Sequence, residues 1–151
     1  SCGAGANYGT ALESALKMGE TIHIPSCCYE IEEYIHGPNL QLTPQYNVIF
    51  FDGNDGASRR VEQVYKATRK VTNRAYLISN NPQLSSDDHV LSLSDTVSSE
   101  LSPLVYLPFV QLLSFIVSND LHSIYQHPLL KEFKAIAAAK TENFVNYDGD
   151  D

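Results

Sequence analysis

The chain has 151 residues, 43% of them hydrophobic and 19% charged, enough to build one packed domain with its own core. Eighteen acidic side chains against ten basic ones give a net charge of −8, and the basic residues form no dense run, which argues against nucleic acid or an anionic membrane as partner. Three cysteines, Cys2, Cys27 and Cys28, show no C-x-x-C spacing and two are adjacent, so they read as reduced thiols in a cytoplasmic protein.

The sequence opens on a glycine-rich turn, Cys2-Gly3-Ala4-Gly5-Ala6-Asn7-Tyr8-Gly9. Such turns follow a buried strand. There is hardly room for one here, so the first strand is expected to be missing and the chain to be part of a longer protein. From Tyr8 to about Thr21, Ala11, Leu12, Ala15 and Leu16 recur with a helical period. Thr21 to Pro25 alternates briefly, as a short strand would. Cys28 to Ile35 places Cys28, Ile31 and Ile35 on one helical face, and Gly37-Pro38 ends that helix because a residue before proline is pushed out of the α region.

Asn47 to Phe51 is an all-apolar run, the mark of a strand covered on both faces. Asp52-Gly53-Asn54-Asp55-Gly56 is a turn, and Ala57 to Val71 a charged helix. Arg74 to Ile78 reads as the next buried strand, Ser79 to Asp88 as a loop, and His89 to Leu93 as a third strand. Ser102 to Val117 is a strongly apolar helix with Pro103 in its first turn, where the missing N–H costs little. The apolar stretch is too short and too interrupted, by Pro103, Pro108 and Gln111, to read as a membrane span. Pro128 to Ala139 is expected to be a last helix and Asp148 to Asp151 a disordered acidic tail.

Strands alternating with helices predict a three-layer α/β/α domain around a parallel sheet, one module over residues 1–151. In such sheets ligands bind beyond the carboxyl ends of the strands. The glycine turn, the Gly53–Gly56 turn and the Ser79 loop should share that edge.

The candidate chemistry lies near the start. Glu20 and His36 can both handle protons, and Lys17 stands one helical turn before Glu20. An exposed Lys–Glu pair is the bland account of Lys17 and Glu20, worth a few tenths of a kcal/mol; a backbone-bonded loop histidine is the bland account of His36. A helix C-terminus is a poor place for a surface carboxylate, which leans towards a purpose for Glu20. Dinucleotide binding is disfavoured, because Gly9 comes one position too late for G-x-G-x-x-G. Zinc on His23, Cys27, Cys28 and His36 is disfavoured too, since adjacent cysteines rarely ligate one ion. Ser92 to Thr96 is rich in hydroxyls but has no glycine for close approach to a phosphate, and suits a strand end and helix cap better.

Together these residues resemble the SIS (sugar isomerase) family of phosphosugar-binding domains. Gly3 to Thr21 is similar to the start of the second module in two-module members, such as the isomerase part of glutamine:fructose-6-phosphate amidotransferase and the fructosamine-6-phosphate deglycases. Glu33-Tyr34-Ile35-His36-Gly37-Pro38 matches the family's E-x-x-H-G-P segment, and Pro103 to Leu113 resembles its last long helix. The resemblance implies a flavodoxin-like fold and proton transfer between C1 and C2 of an amino- or ketose-sugar 6-phosphate, by an isomerase or a deglycase. It makes Glu20 the base, His36 the ring-opening group acting at a neighbouring subunit's site, and Lys17 an electrostatic helper. It points to Gly3, Gly5, Ala6 and Asn7 as substrate-binding positions and to Lys140 as a tail lysine near the site. It implies no metal or organic cofactor, a homo-oligomer, and a first SIS module that supplies the phosphate loop S-x-S-G-x-T. At the equivalent turn stand Asp52 and Asp55, whose charges would repel a phosphate. A non-catalytic sugar-phosphate sensor is the alternative that the resemblance leaves open.

Overall fold

The run Val48-Ile49-Phe50-Phe51-Asp52 explains most of the architecture: it is apolar on both alternating faces, so it needs a helical layer on each side. The computed structural model describes residues 1–93, 97–123, 132–133 and 136–137. In chain order these form β1 (Cys2–Gly3), α1 (Asn7–Ile22), β2 (Tyr29–Glu30), α2 (Ile31–Ile35), β3 (Val48–Asp52), α3 (Ser58–Thr68), β4 (Ala75–Ser79), β5 (Val90–Ser92) and α4 (Ser102–Asp120). Short 3-10 turns occupy Pro38–Gln41 and Pro82–Leu84. The five strands are parallel, in the order β2-β1-β3-β4-β5, which is the flavodoxin-like order.

Two cores lie on either side of the sheet. Phe50 and Leu77 point into one, with Ile31 and Tyr34 of α2 and Val61, Val64 and Tyr65 of α3. Tyr34, Phe50 and Tyr65 meet edge to face there, with ring centroids 5.9 and 6.0 Å apart. Phe51 and Ile78 point into the other, with Ala11 of α1 and Tyr106 and Val110 of α4. The layers are therefore α2 and α3, then the sheet, then α1 and α4.

Several expectations are corrected. The first strand is present: Cys2 and Gly3 pair with β2 on one side and β3 on the other, inside the sheet and second from its edge. Gly3 is needed there, since a Cβ would lie 2.4 Å from the Asn7 carbonyl oxygen. Thr21 to Pro25 is not a strand. α1 runs on to Ile22 and is closed by His23 at φ 61°, whose N–H donates to the Gly19 carbonyl. The strand falls instead at Tyr29–Glu30, and α2 starts at Ile31 rather than Cys28 because Glu30 caps it: its carboxylate accepts from the N–H groups of Glu32 and Glu33, and the Glu33 carboxylate in turn accepts from the Glu30 N–H. Of the expected helix over 128–139 only four residues are described, with the Ala137 N–H on the Phe133 carbonyl. The tail 148–151, Lys140 and residues 94–96 of the hydroxyl-rich run lie outside the described residues.

Candidate functional site

α1 presents Glu13, Lys17 and Glu20 on successive turns. Lys17 Nζ lies 2.7 Å from Glu20 Oε2 and 3.5 Å from Glu13 Oε1. The hydrogen bond to Glu20 holds the Lys17 ammonium above its ordinary pKa. Lys17 thus offsets the negative end of the helix dipole at which Glu20 stands. The Glu20 side chain keeps 50% of its surface exposed.

His36 closes α2, its N–H on the Glu33 carbonyl. Its Nδ1 lies 2.7 Å from the Glu32 carbonyl oxygen. A carbonyl only accepts, so Nδ1 carries a proton, and in the neutral imidazole Nε2 is the nitrogen with the lone pair. Glu32 is itself fixed by a two-point contact with Arg60 of α3, Nε to Oε1 at 2.7 Å and Nη2 to Oε2 at 3.1 Å. That guanidinium holds the Glu32 carboxyl below its usual range. The imidazole therefore sits on a short helix clamped at both ends, a base held in one tautomer.

Between β1 and β3 the strand order reverses, and the turns after these strands line the crevice where this fold takes ligands. Here the crevice is filled by the chain itself. Asn7 is buried, donating from Nδ2 to Ser102 Oγ at 2.7 Å and accepting from Thr10 Oγ1 at 3.1 Å. A Cβ on Gly53 would lie 2.9 Å from Asn7 Nδ2, and one on Gly5, which has φ 54°, 2.9 Å from Asp55 Oδ2. Buried Asp52 ties the floor together. It accepts from the Asn54 N–H at 2.9 Å, from Ser58 Oγ at 2.5 Å and from Ser79 Oγ at 2.7 Å. The Asp52 carbonyl accepts from Tyr106 Oη at 2.7 Å. Two carboxylates and a closed wall make this turn a poor phosphate cradle.

Of the sequence-derived candidates, Lys17 and Glu20 are together, and Gly3, Gly5, Ala6 and Asn7 share one turn. Gly5 and Ala6 are exposed, whereas Gly3 and the Asn7 side chain are buried. Glu20 and His36 are not together. They belong to α1 and the end of α2, in layers on opposite faces of the sheet. Glu20 is also far from the glycine turn, because α1's 16 residues put its two ends about 24 Å apart. Sequence reasoning missed the Asp52 hub, whose partners Ser58, Ser79 and Tyr106 are scattered; an aspartate closing an apolar strand was its one signal. It also expected no clustering of basic side chains, yet Arg69, Lys70 and Arg74 line a shallow hollow of about 390 Å³ at the opposite end of the sheet. There the cations complement the C-terminus of α3. Among the described residues no His, Cys, Asp or Glu cluster could hold a metal ion.

No protein-family model matches the chain. It is 32% identical over 122 residues to the glutamine–fructose-6-phosphate aminotransferase (isomerizing) of Methanothermobacter thermautotrophicus, a match covering 78% of this chain and 20% of the relative. The chain thus spans about a fifth of the length of the curated relatives it matches. Its fold superposes on tagatose-6-phosphate ketose/aldose isomerase from Escherichia coli with a TM-score of 0.69, at 18% identity, over 80% of this chain and 35% of that one. It superposes on the C-terminal domain of glucosamine-fructose-6-phosphate aminotransferase from Francisella tularensis with a TM-score of 0.67, at 23% identity, over 78% and 34%. With its parallel sheet in flavodoxin-like order and its sequence match across most of its length, the chain belongs to the SIS (sugar isomerase) family of phosphosugar-binding domains.

Proposed function

We propose that the chain is the C-terminal, catalytic SIS module of a longer sugar-phosphate isomerase or fructosamine-6-phosphate deglycase, moving a proton between C1 and C2 of an amino- or ketose-sugar 6-phosphate. The observation that carries this is the exposed Glu20 carboxylate with the Lys17 ammonium 2.7 Å away, at the end of a rigid helix. Abstracting a proton beside a carbonyl needs a carboxylate that both takes and returns it. The enediolate that forms is negative, and Lys17 is placed to favour it. The substrate's own carbonyl delocalises the charge, so the step calls on no metal.

His36 suits ring opening, with Nε2 free to move a proton between the ring oxygen and the anomeric hydroxyl. The placement of α1 and α2 in layers on opposite faces of the sheet favours a shared site, with His36 reaching the Glu20 of a neighbouring subunit. The carboxylate-lined turn at Asp52 and Asp55 favours a phosphate site elsewhere, on a first module preceding this one.

The test is incorporation of solvent deuterium at C1 or C2 of candidate sugar 6-phosphates by the full-length protein. Exchange by the wild type and its loss, by about a thousandfold, in Glu20→Gln is the expected outcome. Exchange untouched by Glu20→Gln would remove Glu20 as the base. Tight binding without exchange in the wild type would favour a sugar-phosphate sensor instead.

A further inference from the structure

The end of α3 carries positive charge with which no described carboxylate pairs. Arg69, Lys70 and Arg74 line the hollow of about 390 Å³, together with Thr72 and Asn73. Three other cations of this acidic chain are matched: Lys17 with Glu13 and Glu20, Arg60 with Glu32, and Lys66 with Glu62. Among the described residues, Arg69, Lys70 and Arg74 form no ion pair. Asp87 interacts with Arg69 through space, but its oxygens are occupied, one by Tyr65 Oη at 2.8 Å and the other by the His89 N–H at 2.9 Å.

The walls are held by bonds that leave donors over. Thr72 is buried, with Oγ1 3.0 Å from the carbonyl oxygens of Pro44 and Tyr46, and it accepts from the Arg74 N–H at 3.0 Å. Arg69 donates from Nη1 to the Asn73 carbonyl at 2.9 Å, and Arg74 from Nη1 to the Gln45 carbonyl at 3.4 Å. A guanidinium has five N–H donors, so both arginines keep donors for a ligand. The Lys70 ammonium and the Asn73 backbone N–H have no partner among the described residues.

We propose that this hollow is a binding site for a compact anion bearing two phosphoryl groups, such as a diphosphate. Complementing the C-terminus of α3 is the bland account of the three cations, but a helix end carries only about −0.5 of a charge. About 2.5 positive charges are left over. A phosphoryl group brings about −1.5 to −2 at neutral pH, so two of them meet that excess and one does not. Two arginines in fork geometry also suit phosphoryl oxygens better than isolated ammonium groups would. The volume lies near the small end of ligand pockets, roughly 300–1,000 Å³, and the polar lining suits a small, highly charged guest.

An acidic peptide fits less well. Lys66, the next cation back along α3, is tied to Glu62, so the free positive charge does not continue beyond the hollow. The site does not depend on the proton-transfer reading. Arg74 stands just before β4, at the amino ends of the strands, whereas the crevice of this fold lies at their carboxyl ends.

Isothermal titration calorimetry of the chain with inorganic pyrophosphate tests the proposal. One equivalent should bind with a dissociation constant of about 1 mM or below at low salt, and more weakly as salt rises. Lys70→Gln and Arg74→Gln, both at exposed positions, should each weaken binding about fivefold to tenfold with an unchanged circular dichroism spectrum. Lys66→Gln, outside the hollow, should leave it unaltered. Absence of binding would overturn the proposal, and so would binding indifferent to both hollow substitutions. Orthophosphate bound as tightly as pyrophosphate would overturn the match to two phosphoryl groups. A hexaglutamate peptide bound more tightly than pyrophosphate would overturn it in favour of an acidic protein partner.

Discussion

At the scale of single residues, the glycines separate into those the fold requires and those it tolerates. Gly3→Ala drives a methyl group into the Asn7 carbonyl, with Ala11 Cβ 3.1 Å away, and should cost more than about 3 kcal/mol in urea unfolding. Gly9 sits in the first turns of α1, where an added methyl group would meet nothing within 4 Å, so Gly9→Ala should stabilise by about 0.5 kcal/mol. The cysteines also differ by environment. Burial pushes the Cys2 thiol up to about 12 and raises Cys28 above its ordinary value, whereas Cys27 is exposed. In the folded chain a thiol reagent should label Cys27 first, Cys28 more slowly, and Cys2 only on unfolding. Simultaneous labelling of Cys2 and Cys27 would contradict the placement of β1 between β2 and β3.

At the scale of elements, Tyr106 joins α4 to the sheet. Its hydroxyl donates to the Asp52 carbonyl. Tyr106→Phe should cost about 1–2 kcal/mol, because the Asp52 carbonyl loses this donor in a buried place. How far such elements were legible in the sequence depended on whether their cause was local. β3 and β4 were, because each carries a four-residue apolar run, Val48 to Phe51 and Ala75 to Ile78, that suits a strand between two helical layers. β1 was not, since two residues have no period; only its neighbours make it a strand. The alternation Thr21 to Pro25 misled because α1 outlasts its apolar period and ends in a left-handed histidine. Glu20, Lys17 and His36 were visible as candidates from their frame of glycine turn, helix and His-Gly-Pro. That α1 and α2 flank opposite faces follows from the crossover connections, and no spacing announces it. Nor did the apolar period of α4 reveal which of its faces turns outward.

At the scale of the whole molecule, buried acids set the alkaline limit, Cys2 and Tyr106 among them. Burial raises Cys2 from 9.0 and Tyr106 from 10.0, each to about 12. Both are neutral in the folded chain where the unfolded chain has begun to ionise. Their contribution is complete below about pH 9 and is lost as the pH rises towards about 12. The urea midpoint should fall between about pH 8 and about pH 10.5, and fall less in Cys2→Ala. Assembly matters more for function. The central claim is that Glu20 of one subunit and His36 of another serve one sugar-phosphate site, because within a chain the sheet stands between them. Mixing full-length Glu20→Gln and His36→Asn subunits, after co-expression or exchange, tests this most directly. Each variant alone should be nearly inactive in C1–C2 proton exchange. The mixture should regain up to about a quarter of wild-type activity through hybrids that hold one intact site. A mixture as inactive as its parts, with hybrids shown to have formed, would contradict the shared site.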